Sequence, residues 1–298
     1  MKNIGTQLKG MVILLITAIL WGFAFPAQLA ASEHLGALSY TGIRFAIGAL
    51  PLIPLILLVE KNKEKSRLRL TVFSGMLCGF VMFFAIFLQQ FSMNFLDNSG
   101  EVSFLTALYM LIVPLLGLCM GKFPSVKVWI AILLGCVGMF LLTVKESFTL
   151  ELPTLILIGS AFLWAVHILV VGKFSDRIYP ITFSFMQFSV TALCGLAGMF
   201  LFESPAIGDF IIVWPQILYG GLVSVGIAFT CQIIGQKYTD PAPAAIILST
   251  ESVFGAIGGV IMGEPMLTPR EISGCVLIFI GIILSQIPNR KKKEIPHD

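Results

Sequence analysis

Charged residues are scarce in this chain, and their scarcity excludes most soluble functions. Asp, Glu, Lys and Arg make up 12% of the 298 residues, whereas a soluble domain carries about 25%. Hydrophobic residues account for 57%, and little sequence remains outside the apolar runs to build a soluble catalytic domain. The net charge of +3 requires no nucleic-acid partner. The composition therefore predicts an integral membrane protein.

The motifs of catalysis and cofactor binding are also lacking. The sequence contains no G-x-x-x-x-G-K loop, no H-E-x-x-H, no G-x-S-x-G and no group of acidic residues at metal spacing. We therefore expect no cofactor, no metal, no enzymatic activity and an energy source other than ATP. We interpret the cysteines, which all fall in apolar segments, as small buried hydrophobic residues: Cys78, Cys119, Cys136, Cys194, Cys231 and Cys275.

Ten apolar runs are each long enough to cross a hydrocarbon core of about 30 Å as a helix. We predict helices over residues 10–30, 37–59, 70–92, 101–121, 126–144, 153–173, 180–202, 211–236, 241–263 and 269–287. Because these runs take up nearly the whole chain, the sequence predicts an all-α integral membrane fold with ten transmembrane helices.

Basic residues favour one side of the predicted membrane. Lys145 and Arg270 fall in the loops of one side. Sixteen basic residues fall on the other: Lys2, Lys9, Lys61, Lys63, Lys65, Arg67, Arg69, Lys122, Lys127, Lys173, Arg177, Lys237, Arg290, Lys291, Lys292 and Lys293. Since cytoplasmic loops carry the excess of Lys and Arg, both termini are predicted to lie in the cytoplasm of a multi-pass protein of the bacterial-type plasma membrane.

The two halves of the sequence align at an offset of 143 residues. This offset superimposes Trp21 on Trp164, Phe45 on Phe188 and Gly138 on Gly281. Each half holds five predicted helices, and an odd number of spans inverts the second copy relative to the first. We therefore predict a first repeat over residues 1–144, a linker over 145–152, an inverted second repeat over 153–287 and a basic cytoplasmic tail over 288–298.

Three motifs recur between the halves. Leu20-Trp21-Gly22 is echoed by Leu163-Trp164-Ala165, Arg44-Phe45 by Gln187-Phe188, and the Gly121 turn by Gly263-Glu264. With ten spans and an inverted repeat, these motifs resemble the EamA family, the ten-helix members of the bacterial drug/metabolite transporter superfamily. Lys122 departs from the family pattern, because it occupies the position of the acid in the Gly-Glu turn.

The resemblance implies a function and a place for the site. Members of this family move amino acids, other small metabolites or drug-like compounds, many of them outward. The resemblance also implies a central cavity framed mainly by helices one, three, four, six, eight and nine, with helices five and ten at the periphery.

Three ionisable residues fall within predicted spans, where a charge is costly and normally has a partner. Glu251, halfway along helix nine, is interpreted either as a substrate-amine or proton-carrying site, or as a structural hydrogen-bonded carboxyl. His167 in helix six is either a proton relay or a satisfied buried group. Arg44 in helix two is interpreted either as a functional group or as one member of a structural ion pair. We favour the structural pair, since helix two is not a main cavity helix in the resembled family.

Aromatic and amide side chains add polarity to the same helices. Trp21 and Trp164 lie mid-span, where they form either walls around a substrate or contacts between the repeats. Tyr109 matches Glu251 at an offset of 142 residues. Gln89 and Gln232, on the equivalent helices three and eight, line an aqueous path or join helices by hydrogen bonds.

The sequence thus predicts a secondary transporter of small amphipathic metabolites that works by alternating access. The predicted substrate-binding residues are Trp21, Trp164, His167, Glu251, Tyr109, Gln89 and Gln232. The expected partners are the lipid bilayer and a small-molecule substrate, and the sequence leaves a homo-oligomer open. A membrane-embedded enzyme acting on lipid and a channel or structural membrane protein remain the alternatives.

Overall fold

The computed structural model describes residues 4–61, 63–96, 99–143, 151–261 and 266–287. We label the ten membrane-length segments of this part of the chain α1–α10. The first five are α1 (Ile4–Gly22 and Ala24–Ser32), α2 (Ala37–Ala49 and Leu52–Val59), α3 (Lys65–Met93), α4 (Ser99–Ala107 and Tyr109–Cys119) and α5 (Val126–Thr143). The other five are α6 (Leu152–Phe174), α7 (Pro180–Phe202), α8 (Trp214–Leu218, Tyr219–Phe229 and Thr230–Gln236), α9 (Pro241–Leu248 and Glu251–Ile261) and α10 (Pro269–Gln286), with a short helix, Ile207–Ile212, before α8.

The prediction of ten helices is confirmed. Among the described residues, eight of the ten segments have the length and apolar character of a membrane span. α5 is a shorter apolar helix, and α10 is the 18-residue helix Pro269–Gln286. Several predicted features fall outside the described residues: Lys2, Lys145, Gly263, Glu264, most of the linker and the basic tail.

The interpretation of the cysteines is mostly wrong. Cys78 is buried, but Cys119 is exposed and the other four cysteines are partly exposed. An apolar run in a membrane protein faces lipid as well as the protein core, so hydrophobic surroundings in the sequence do not predict burial against other helices.

Each of α2 and α7 supplies a carboxylate to the first turn of the other helix. Glu203, just after α7, accepts hydrogen bonds from the backbone N–H groups of Leu38 and Ser39 at 3.0 and 2.7 Å. Glu60, just after α2, accepts from the N–H groups of Ile181 and Thr182 at 2.9 and 3.0 Å. The two sets are related by the 143-residue offset, so an antiparallel pair of helices caps itself at both ends.

Hydroxyl groups repeat the same symmetry deeper in the bundle. Thr17 of α1 donates to the carbonyl of Ala228 at 3.3 Å, and its equivalent, Ser160 of α6, donates to the carbonyl of Ala85 at 2.8 Å. All four positions obey the offset, so α1 contacts α8 as α6 contacts α3. These matched bonds place a pseudo-two-fold axis between the inverted halves.

The peripheral pair, α5 and α10, is joined through small residues. A Cβ on Gly138 would lie 2.6 Å from the carbonyl oxygen of Gly274, and one on Gly281 would lie 2.8 Å from that of Ala131. Ala131 and Gly274 are equivalent in the two repeats, as are Gly138 and Gly281. The backbones therefore touch at two symmetric points, as small residues permit between membrane helices.

Two helices are interrupted at equivalent depths. α4 breaks at Leu108 and α9 breaks at Ser249 and Thr250. Tyr109 and Glu251 begin the second segment of each helix. Pro114, which the sequence places within α4, lacks the N–H that would bond four residues back and so favours a distortion there. Broken helices at this depth are a common way to build transporter sites.

The glycine contact between α5 and α10 yields a test of the fold. We expect Gly138→Ala to lower the unfolding temperature of the detergent-purified protein, because its Cβ meets a backbone carbonyl that cannot rotate away. Gly159→Ala is the matched control, since its Cβ would lie 4.0 Å from the nearest side chain. There the substitution should not lower the unfolding temperature, because alanine is more favourable than glycine within a helix by about 1 kcal/mol. Equal unfolding temperatures for the two variants would contradict the packing described for α5 and α10.

Candidate functional site

A cavity lies at the centre of the bundle, between the two repeats. Its volume is about 30 Å³, which leaves room for water but not for a metabolite in this conformation. The lining comprises Trp21, Phe25 and Gln28 of α1, Arg44 of α2, Ile86 and Gln89 of α3, Thr106 and Tyr109 of α4, Trp164 and Ile168 of α6, Ser224, Phe229 and Gln232 of α8, and Glu251 of α9.

Three aromatic rings form one wall of this cavity. Trp21 and Trp164 approach each other with ring centroids 6.4 Å apart. Phe229 joins them, at 4.5 Å from Trp21 and in a stacked arrangement 5.6 Å from Trp164. The wall is therefore a contact between repeats as well as a cavity lining, and contact of the tryptophans with a substrate stays a prediction.

The two indole N–H groups have different partners although the tryptophans are equivalent. Trp164 donates to the Gln89 side-chain oxygen at 2.8 Å. The matching bond would join Trp21 to Gln232, but Trp21 donates to the carbonyl of Ser224 at 3.2 Å. Gln232 donates to Gln236 instead, at 3.1 Å.

A π-helix in α8 accounts for this difference. Tyr219–Phe229 is wound as a π-helix, a local winding that is rare in proteins and frequent at functional sites. Ser224 lies within it and exposes its carbonyl to Trp21. α3, the equivalent helix, is a regular α-helix. The two repeats therefore present different polar groups to the cavity.

Glu251 and Tyr109 meet across the pseudo-two-fold axis. The Tyr109 hydroxyl donates to Oε1 of Glu251 at 2.9 Å, and both residues are buried. In the described part of the chain, no cation lies within salt-bridge distance of this carboxyl. The arrangement leaves Glu251 able to bind a proton or an ammonium group from the cavity.

His167 lies behind the aromatic wall and is not part of the lining. Its ring stands edge-on to Trp164 and to Phe229, with centroids 5.4 and 6.4 Å away. Its Nε2 lies 3.2 Å from the Gln187 side-chain oxygen. Its Nδ1 has no hydrogen-bond partner among the described residues. The interpretation of His167 as a satisfied buried group therefore holds for one ring nitrogen, and a role in substrate binding stays a prediction.

The interpretation of Arg44 as one member of a structural ion pair is wrong for the described residues. Its guanidinium has no carboxylate within salt-bridge distance there and lies over the rings of Tyr40 and Phe45, at 4.8 and 5.4 Å from their centroids. α2 therefore joins the six helices implied by the resemblance. The sequence could not reveal this, because contact with the cavity depends on how several helices pack.

A second, larger cavity opens on the basic face, where α1 begins and α10 ends. It has a volume of about 640 Å³ and is lined by Lys122, Phe123, Tyr238, Asp240 and neighbouring residues. We call this second cavity the vestibule. On α4, Val113 lines the vestibule, whereas Tyr109 lines the central cavity. Only about one helical turn of 5.4 Å separates the vestibule from the centre.

The structure thus brings together six of the seven residues predicted to bind substrate. Trp21, Trp164, Glu251, Tyr109, Gln89 and Gln232 line one cavity, and binding itself stays a prediction. Phe229, Ser224 and Arg44 were missed. Phe229 lies in an apolar run like many of the chain's 25 phenylalanines, so no local signal marks it. In the part of the chain that is described, no group of His, Cys, Asp and Glu could hold a metal ion.

Comparison with known proteins gives relatives along the whole chain. The chain resembles an uncharacterized transporter of Archaeoglobus fulgidus, with 23% identity over 273 residues that cover 91% of this chain and 83% of the relative. The uncharacterized transporter YoaV of Bacillus subtilis is 22% identical over 297 residues, 96% of this chain and 100% of YoaV. One crystal structure shares the fold, with a TM-score of 0.75 and 19% identity over 92% of this chain and 95% of its own.

The family match repeats within the chain as the structure does. The EamA-like transporter family model matches residues 8–144 and again residues 152–286. The two matches fall on the two halves related by the 143-residue offset, and together they cover nearly all the chain. The chain therefore belongs to the EamA-like transporter family and is a membrane transporter.

Proposed function

We propose that this transporter moves small amphipathic metabolites, amino acids foremost, out of the cell by alternating access. The single observation that carries the proposal is the cavity between the inverted repeats. Equivalent residues from both halves face it, Trp21 with Trp164 and Tyr109 with Glu251. A site shared by two bundles changes its access when one bundle rocks against the other.

The chemistry of the cavity suits an amphipathic compound. Trp21, Trp164 and Phe229 offer an apolar surface that a hydrophobic side chain can contact. Glu251 and the amides of Gln89 and Gln232 offer hydrogen-bonding groups beside that surface. An ammonium group and an apolar side chain on one small molecule would use both parts.

The vestibule supports loading from the cytoplasm. It opens at the face that carries Lys122 and Lys237. We propose that this face is cytoplasmic, because it carries the excess of basic residues. In the conformation described here, a compound in the cytoplasm would reach a point about one helical turn from the central cavity. Outward transport begins with entry of the compound from the cytoplasm, and this conformation provides the opening for that step.

The two alternatives receive less support. A lipid-acting enzyme needs reactive side chains at the membrane interface, but Glu251 and Arg44 lie between the helices at the central cavity. A channel needs a continuous polar path, whereas the three aromatic rings occupy the centre of the bundle. Non-enzymatic transport therefore remains the proposal.

Flux measurements in proteoliposomes test the proposed function. The purified protein should catalyse saturable transport of at least one amino acid or related metabolite, and unlabelled substrate on one side should drive counterflow of labelled substrate from the other. Linear, non-saturable flux would support a channel. Absence of flux across a metabolite panel would overturn the proposal.

Glu251 provides the sharpest variant for this assay. We expect Glu251→Gln to lower transport at least about tenfold or to abolish its pH dependence, because glutamine keeps the shape but neither attracts an ammonium group nor carries the proton. Exposed Glu33→Gln is the control. Unchanged transport by Glu251→Gln at every pH would remove this carboxyl from the mechanism.

The proposed orientation is tested by cysteine labelling. In intact cells carrying a Cys119→Ser background, an impermeant maleimide should leave Lys61→Cys and Arg290→Cys unlabelled. Arg270→Cys, at the start of α10, should react. Permeabilised cells should label Lys61→Cys and Arg290→Cys, which controls for accessibility. Labelling of these two sites from outside would reverse the proposed topology.

A further inference from the structure

We infer that Arg44 is the anion-binding group of the central cavity, and that the transported compound carries a carboxylate that Arg44 binds. This inference rests on the proposed function, because it names a chemical feature of the compound that the same cavity takes. It assigns a role in specificity to Arg44, whose place in the recurring Arg44-Phe45 motif does not by itself indicate contact with a transported compound.

The first argument is the unsatisfied guanidinium. Arg44 is 1% exposed and lines the cavity. Its Nε and Nη2 find no hydrogen-bond partner among the described residues. A buried charge without a counter-charge is strongly unfavourable, and at membrane depth such residues normally face a functional cavity. An anion in the cavity supplies both the charge and the acceptors that the guanidinium lacks.

The second argument is that the protein holds the guanidinium in place without neutralising it. The rings of Tyr40 and Phe45 lie beneath it, and Tyr40 is itself fixed by its hydrogen bond to the carbonyl of Gln216 at 3.2 Å. A Cβ on Gly220 would lie 2.7 Å from the Tyr40 hydroxyl and 3.4 Å from Cδ of Arg44. Cation–π contacts stabilise the charge but accept no hydrogen bonds along its edge. That edge stays available to a carboxylate.

The third argument comes from comparing the repeats. At the position equivalent to Arg44, the side-chain oxygen of Gln187 lies 3.2 Å from Nε2 of His167 of α6, whereas the Gln187 side-chain nitrogen has no hydrogen-bond partner among the described residues. The residue equivalent to His167 in the first repeat is Ala24, whose methyl group cannot reach across or accept a hydrogen bond. The second repeat thus joins α6 to α7 through a side-chain contact and has a neutral amide where the first repeat has a charge. The first repeat leaves the corresponding charge for a molecule in the cavity.

The same cavity carries groups that suit the other end of such a molecule. The side-chain oxygens of Gln28 and Gln232 have no hydrogen-bond partner within the described ranges, and Glu251 shares the lining. Oxygen acceptors and a carboxyl complement an ammonium group, whereas the guanidinium fork complements a carboxylate in a two-point contact. The structure therefore favours a compound with both groups over an amine alone.

A ligand series tests this inference on wild-type protein. Binding of L-leucine, L-leucinamide, 4-methylpentanoate and 3-methylbutylamine to the full-length protein in nanodiscs is measured by calorimetry. We expect the two compounds without a carboxylate to bind about tenfold to about a hundredfold more weakly than L-leucine. If the flux panel identifies another carboxylated substrate, that compound and its carboxamide replace the leucine pair. Equal affinities would overturn the inference.

Variants assign the carboxylate contact to Arg44. We expect Arg44→Gln to remove the preference for L-leucine over L-leucinamide, and Arg44→Lys to restore part of it, because lysine keeps the charge without the planar fork. Arg270→Gln makes the same change at an exposed site and should keep the preference. If Arg44→Gln binds with wild-type preference, the inference is wrong; if it fails to fold, the wild-type series alone decides.

The inference and the proposed function fail in different ways. Saturable transport restricted to compounds without an anionic group would overturn the role of Arg44 and leave the transporter function intact. Absence of saturable flux for the whole panel would overturn the proposed function and this inference together.

Discussion

A helix leaves the N–H groups of its first turn without partners, and α2 and α7 supply those partners to each other. Glu60 and Glu203 each follow the end of one helix and cap the start of the other. Where water is scarce, an unsatisfied backbone group is costly, so this exchange fixes the register of the two helices. α3 and α8 pack against this antiparallel pair. The pseudo-two-fold axis, and with it the position of the cavity, depends on that register.

The contacts of this structure fall into two groups: those that the two repeats share and those that differ between them. Matched residues form the scaffold: the paired caps, the bonds of Thr17 and Ser160, and the glycine contacts of α5 and α10. At the cavity, equivalent residues make different hydrogen bonds. Trp21 bonds to a π-helical carbonyl where Trp164 bonds to Gln89. The duplicated positions therefore form a scaffold whose two halves can move against each other. The differences between the two repeats determine which polar groups the central cavity presents.

The sequence predicts the fold well because hydrophobic length and repeat offset are direct consequences of crossing a membrane. It also locates Trp21, Trp164 and Glu251, because an indole or a carboxyl at mid-span is unusual in lipid. Prediction from the sequence fails for features that depend on how the helices pack against one another. The exposed Cys119 and the cavity-facing Arg44 required the packing of several helices to be known. The π-helix in α8 contains Gly220, Gly221 and Gly226 but no charge, and glycines are frequent in membrane helices of ordinary winding.

The central claim is that the two repeats rock about the shared cavity, so that the two faces open in alternation. Spin-label distances test it most directly, with one pair at Phe123 and Tyr238 on the vestibule. The other pair, Phe95 and Met266, occupies equivalent positions, which the inverted repeat assigns to the opposite face. On addition of a transported compound, the account predicts that one distance shortens while the other lengthens. Changes of the same sign in both pairs, or no change in either during active transport, would contradict it.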